Sequence, residues 1–171
     1  MSMRSGLFRV LGCLVAASNF LVCSPSWAVQ PGQSAPEFQL SSRTGSLRLT
    51  DLKGTVVYLD FWASWCGPCK QSFPWMNDMQ ARYGSRGLKV VAVDVDQKPQ
   101  DGKAFLDRVR ADFEVVFDPQ GITPKAYAVK AMPTSLLIGP DGRVLLVHQG
   151  FRMEDRDELE RHIRQALNIK E

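Results

Sequence analysis

Apolar and polar positions along the chain fall into blocks with two different periods. Residues 55–62 (TVVYLDFW) are a run of β-formers broken by a single acid, Asp60, and residues 88–95 (LKVVAVDV) form a second such run. Runs of this kind predict strands covered on both faces. Between them Phe73, Met76, Met79 and Tyr83 recur at helical spacing, which predicts a helix from Cys66 to about Tyr83, broken by residues 84–87. Short alternating runs at 38–40 and 47–49, on either side of Thr44-Gly45, predict a small hairpin. The Gln/Pro/Gly-rich residues 29–35 before it read as a flexible lead-in. Downstream, the pattern predicts a helix over 101–112, a short strand over 115–117 and a short helix over 123–129 with Pro124 in its first turn. Strands over 134–138 and 144–149 are joined by Gly139-Pro140-Asp141-Gly142, a tight-turn sequence that makes them an antiparallel hairpin. Leu159, Ile163 and Leu167 then mark an amphipathic helix over 153–167. Strand–helix–strand order early, with a hairpin and helix late, predicts an α/β chain: a central mixed β-sheet with helices on both faces and no internal repeat.

The first 28 residues follow different rules. Arg4 and Arg9 precede a mostly apolar run over 10–22, and Ser26-Trp27-Ala28 supplies a small-x-small triplet. No acid occurs before Glu37. This is the layout of a secretory signal peptide, cleaved after Ala28. The run is interrupted by Ser18 and Asn19 and is short for a membrane-spanning helix. Retention as an anchor is the other reading. Cys23 as a lipid-modified terminus fits less well, because Leu21-Val22 stand where small residues are wanted. The chain thus divides into residues 1–28, a signal peptide or uncleaved anchor, and 29–171, one domain.

Composition narrows the classes. The 171 residues are 44% apolar and 23% charged, with a net charge of +3. That suits one globular domain and excludes disordered, collagen-like and coiled-coil chains. The balance of charge gives no reason to expect nucleic acid as a partner. Removing the signal takes away Arg4 and Arg9, which leaves a near-neutral mature domain with no reason to expect more than a monomer. It also removes Cys13 and Cys23, so Cys66 and Cys69 are the only thiols left. Export places them in an oxidising, extracytoplasmic compartment such as a periplasm.

Those two cysteines sit in Trp65-Cys66-Gly67-Pro68-Cys69, directly after a buried strand and at the start of a helix. Three residues apart at a helix start, they share one face and are close enough to form a disulfide. Free N–H groups and the helix dipole favour a thiolate at Cys66, the expected nucleophile. Cys69, one turn in, would resolve the mixed disulfide. Half a zinc site is the competing reading, but no second pair exists, and His148 and His162 are remote in sequence and read as strand and helix-surface residues. A structural disulfide closing so short a loop would contribute little. Asp60, a carboxyl in an apolar run, should be partly desolvated with a raised pKa, and could accept the Cys69 proton during resolution. Pro133, between a loop and a strand, is a plausible cis proline. Beside it, Met132 and Thr134 could offer backbone groups to an extended substrate. Trp62 reads as core, and Trp65, beside Cys66, as exposed.

Together these residues resemble the thioredoxin superfamily, most closely its secreted or membrane-anchored TlpA/ResA-like thiol–disulfide oxidoreductases. Residues 60–70 (DFWASWCGPCK) are very similar to the thioredoxin active-site segment. Pro74 matches the kink of the active-site helix, Met132-Pro133-Thr134 the cis-proline loop, and Gly150 the glycine after the last strand. Ala35-Pro36-Glu37-Phe38 resembles the start of the branch's N-terminal hairpin, and residues 98–119 its central βα-type insertion. The resemblance implies a thioredoxin-like fold over the mature domain. It also implies a redox-active Cys66–Cys69 disulfide, Cys66 attacking, Cys69 resolving, Asp60 as buried acid, and a substrate groove bordered by Trp65, Gly67, Pro68, Met132, Pro133 and Thr134. No cofactor beyond that disulfide and no metal is implied. Expected partners are protein thiols and disulfides, apocytochrome c among them, and a membrane thiol-transfer electron donor. Some members carry an acid in the insertion near the active site; Glu114 and Asp118 are nearby in sequence, with no basis for choosing either.

The leading reading is therefore an exported reductase of protein disulfides. A copper-binding chaperone or assembly factor on the same fold is the alternative, since thiolates suit Cu(I), though no third ligand has motif context. A peroxidase is a third, disfavoured because the 63–66 segment does not resemble a lone peroxidatic cysteine loop.

Overall fold

A computed structural model describes residues 29–170; the segment expected as a signal, with Cys13 and Cys23, lies outside the described residues. The chain runs β1 (Gln39–Ser42), β2 (Ser46–Arg48), β3 (Val56–Trp62), α1 (Gly67–Tyr83), β4 (Leu88–Asp94), α2 (Pro99–Leu106), β5 (Glu114–Phe117), α3 (Ile122–Ala126), β6 (Thr134–Ile138), β7 (Val144–Gln149) and α4 (Arg156–Ala166). The strands form one seven-stranded sheet in the order β2-β1-β5-β4-β3-β6-β7. β3, β4 and β5 are parallel, and β6, β7, β1 and β2 add on antiparallel. This is the mixed sheet that the hydrophobic pattern predicts.

The sheet has an apolar layer on each face, and the central strands feed both because successive side chains alternate. Val56, Tyr58 and Trp62 of β3 pack with Phe73, Met76 and Met79 of α1 and with Leu159 and Ile163 of α4. Val57, Leu59 and Phe61 pack on the opposite side with Phe38, Tyr127 and Val144. By the same alternation Asp60 points to the α1 side. Phe105 of α2 and Phe113 join that side through an aromatic cluster: Trp62 to Phe105 at 4.9 Å, Phe73 to Phe105 at 5.3 Å and Phe73 to Phe113 at 5.3 Å between ring centres. The insertion is thus built into the core beneath α1.

Four expectations need correction. Residues 29–35 are not a free lead-in. Val29 is buried, Gly32 donates to the Val144 carbonyl (2.8 Å), Ala35 donates to that of Gly142 (2.9 Å), and Val144 donates to that of Gln33 (2.9 Å). The segment adds backbone pairs beside the start of β7, and one apolar anchor is enough to hold it. The helix expected over 101–112 is α2, which starts earlier, at Pro99, and stops at Leu106. Side chains hold the residues beyond it in a non-helical path. The Asn77 amide donates to the Arg110 carbonyl (2.9 Å) and accepts from the Asp112 N–H (2.7 Å), while Arg43 donates to the Ala111 and Phe113 carbonyls (3.1 and 2.8 Å). The last two helices are shorter than expected. α3 ends at Ala126, and a 3-10 turn over Met153–Asp155 precedes α4.

Candidate active site

β3 ends at Trp62 and α1 begins at Gly67, so only four residues connect them, and Cys66 is the N-cap of α1. Its Sγ accepts the Cys69 N–H at 3.2 Å, satisfying one of the free donors of the first turn. Cys66 and Cys69 form a disulfide, with their Cα atoms 5.3 Å apart. Cys69 is fully buried and Cys66 is 5% exposed, so attack from outside reaches Cys66 first. Gly67 and Pro68 are exposed beside it, and Trp65 is 70% exposed, a large indole with no place in the core. Trp62, three residues earlier, is entirely buried. Pro68 occupies the first turn and Pro74 lies inside the helix, as the sequence suggests.

Asp60 lies in the middle of the sheet at 1% exposure. Its Oδ1 accepts the hydroxyl of Ser135, its neighbour across the β3–β6 pair, at 2.6 Å. Its Oδ2 is buried without a hydrogen-bond partner among the described residues. Desolvation lifts its pKa from the ordinary value to about 7, and the Ser135 bond only moderates the rise. The burial expected of this acid is complete rather than partial, because Asp60 sits on a central strand flanked by β4 and β6 and faces the apolar layer that α1 packs against.

Met132, Pro133 and Thr134 lead into β6, and the Met132–Pro133 peptide bond is cis. The Pro133 carbonyl accepts the Gly150 N–H at 2.8 Å, and Thr134 donates its hydroxyl to the Ala131 carbonyl at 2.7 Å. Among the described residues, no other backbone group pairs with the N–H or C=O of the half-buried Met132. A cavity of about 330 Å³ connects this loop to Trp65, with Val95, Pro124 and Val129 in its wall and Lys130 among its lining residues. A larger cavity, about 730 Å³, lies between β1, α2 and Phe117, with neither cysteine in its wall.

The remaining singled-out residues go elsewhere. Asp118 accepts the Thr123 N–H at 2.6 Å and so supports the entry to α3, while Glu114 opens β5. His148 on β7 and His162 on α4 line a small cavity with Asp155 and Glu158, away from the cysteines. The copper reading therefore keeps its two thiolates and gains no histidine.

Sequence reasoning missed Ser135, and also Asp94 and Asp96 at the end of β4. Both acids are buried, at 1% and 4% exposure. Asp96 accepts the N–H and the hydroxyl of Ser64 at 2.8 and 3.0 Å, and donates its own N–H to Asp94 at 3.0 Å. Burial raises the Asp94 pKa above the usual carboxyl range. The signal was present: VVAVDVDQ is a buried run containing acids, as is the run around Asp60.

A profile of the AhpC/TSA family matches residues 31–147. The chain is similar to thiol-disulfide oxidoreductase ResA of Bacillus subtilis, 35% identical over 153 residues that cover 88% of this chain and 86% of that one. It is similar at 33% identity over 158 residues to the ResA of Geobacillus thermodenitrificans, covering 92% of this chain and 88% of the relative. A crystal structure of a Chlorobium tepidum protein assigned as thiol:disulfide interchange protein DsbE superposes with a TM-score of 0.81 at 56% identity, covering 82% of this chain and 99% of that one.

Proposed function

For this chain, which belongs to the AhpC/TSA family and is a thioredoxin-like thiol–disulfide oxidoreductase, we propose exchange with exported protein disulfides, run in the reducing direction. The observation that carries the reading is the asymmetry of the pair: Cys66 at a surface rimmed by Trp65, Gly67 and Pro68, and Cys69 fully buried on the side of the sheet that Asp60 faces.

In the reduced protein the Cys66 thiolate attacks one sulfur of a substrate disulfide. An S–S bond forms to Cys66 and the other substrate sulfur leaves as a thiolate. Cys69 then attacks the Cys66 sulfur, its proton passes to Asp60, and the substrate departs with both sulfurs reduced. The Cys66–Cys69 disulfide that results is the state seen here. Met132 presents its unpaired backbone groups to an extended substrate strand, with Pro133 and Thr134 bordering it. The cavity beside Trp65 takes a neighbouring apolar side chain.

Residues 1–28 direct export and are cleaved or kept as an anchor, so the domain works in the periplasm or its equivalent; its near-neutral charge and single domain give no reason to expect more than a monomer. Electrons reach it from a membrane thiol-transfer partner. Apocytochrome c cysteines are a fitting substrate, since they must be reduced before haem attachment. Equilibration with glutathione tests the direction: a strongly reducing potential is expected, and one near about −120 mV, the value of a dedicated oxidant, would contradict it.

A further inference from the structure

The loop that carries Trp65 and Cys66 is buried at its ends, Ala63 and Cys66, and open in its middle. Trp65 is 70% exposed and Ser64 only half-buried. One backbone bond crosses it, from Cys66 N–H to the Ala63 carbonyl at 3.0 Å. The Cys66–Cys69 disulfide ties the end of the loop to α1, and its middle is held by the carboxylate of Asp96, which grips Ser64 by both its N–H and its hydroxyl. Bonds to a carboxylate of this length are among the stronger hydrogen bonds available to a loop.

Asp96 is held in turn. Its N–H donates to Oδ1 of Asp94. The other Asp94 oxygen, Oδ2, is buried against Gly102 of α2, where an added Cβ would lie 1.8 Å from it. The backbone on either side is pinned to both neighbouring strands, by Val95 N–H to the Trp62 carbonyl at 3.0 Å and Asp118 N–H to that of Asp94 at 2.8 Å. A continuous path therefore runs from the insertion helix through Asp94 and Asp96 to Ser64, two residues before the attacking cysteine. Two buried acids side by side are a poor way to stabilise a fold, since apolar residues at the same positions would bury more cheaply. Their arrangement serves the loop.

We propose that Asp96 is a positioning residue for disulfide exchange: it fixes the 63–65 loop through Ser64, and the central insertion braces it by way of Asp94 and Gly102. The proposal rests on Cys66 being the attacking thiol. Small misplacement of a reacting group is enough to slow a reaction severely, so the effect should fall on turnover more than on substrate affinity.

The test uses the full chain and three variants, read by amide hydrogen exchange over residues 64–66 and by steady-state reduction of a disulfide-bonded protein such as insulin. Asp96→Ala is expected to speed exchange at the Ser64 amide roughly tenfold with β3 and β4 amides unchanged, and to lower kcat by about tenfold with little change in KM. Asp96→Asn still offers an oxygen to the Ser64 N–H and should recover both readouts to within about threefold. Ser64→Ala loses only the hydroxyl bond, removes no buried group, and should fall between them; it decides the matter if Asp96→Ala does not fold. Wild-type exchange and kcat in Asp96→Ala or Ser64→Ala would overturn the proposal, as would an Asn variant no better than Ala. Activity surviving in Cys66→Ser would instead remove the assignment of the nucleophile, with the Ser64 amide still reporting the clamp.

Discussion

Ser135 donates its hydroxyl to Oδ1 of Asp60 at 2.6 Å, across the β3–β6 pair, while Oδ2 of the same carboxyl is buried with no partner among the described residues. One oxygen is fixed and the other is free to take a proton. That is the arrangement a proton acceptor needs, and burial sets its pKa at about 7.

The first consequence is a pH dependence of stability. A carboxyl whose folded pKa lies above its unfolded value binds its proton more tightly in the folded chain, so stability falls as pH rises from the unfolded to the folded value. For Asp60 this window runs from 3.8 to about 7. Asp94, whose pKa burial also raises, acts in the same direction. Asp60→Asn keeps the shape and a partner for Ser135 and removes the charge. It should leave stability little changed near pH 4 and raise it by roughly 3–4 kcal/mol near pH 8. Urea unfolding of the oxidised protein across this range checks it; equal stability of variant and parent at high pH would remove the burial argument.

The second concerns resolution. On the proposed mechanism ionised Asp60 accepts the Cys69 proton, and Asn in its place cannot. Release of substrate from the mixed disulfide should rise through about pH 7 in the parent and be slower and lack that rise in Asp60→Asn, with the initial attack by Cys66 unaffected. Rapid-mixing measurements of the two steps separate them.

Much of this site is legible in the chain. The cysteine spacing after a buried strand, the acid within the TVVYLDFW run and the proline before β6 are local patterns, and local patterns survive folding. Ser135 and the Asp94–Asp96–Ser64 path are not local. Their meaning comes from strand register, from β3 lying between β4 and β6, and no periodicity reports that. The early stop of α2 is hidden for a related reason: Asn77 and Arg43, 33 to 70 residues away in sequence, hold the backbone that would otherwise continue it. The lead-in was misread because its backbone pairs are made with β7, more than a hundred residues on.

Gly102 gives a third prediction. Alanine in a helix interior ordinarily gains about 1 kcal/mol over glycine. Here the new Cβ would meet Asp94 Oδ2 at 1.8 Å and Cγ at 2.6 Å. Gly102→Ala should therefore destabilise by about 1–3 kcal/mol. Combining it with Asp94→Ala should cost less than the sum of the two single changes, because the clash is gone. Additive effects in a double-mutant cycle would show that α2 and Asp94 are not in contact.

Trp65 separates recognition from stability. Because its indole is mostly in solvent, Trp65→Ala should change unfolding free energy by less than about 0.5 kcal/mol. Reduction of a protein disulfide should slow severalfold, while reduction of a small aliphatic disulfide, which cannot span the groove, should be nearly unchanged. Parallel assays with both substrates decide it.

The central claim is that Cys66 attacks and Cys69 resolves. Cys69→Ser leaves attack intact and blocks release, so covalent complexes should accumulate in cells, each joined through Cys66 and dissolved by reductant. Mass spectrometry of the trapped species would then identify the partners, apocytochrome c cysteines among them if the substrate proposal holds. Absence of any Cys66-linked complex, with the variant protein folded and present, would contradict the account.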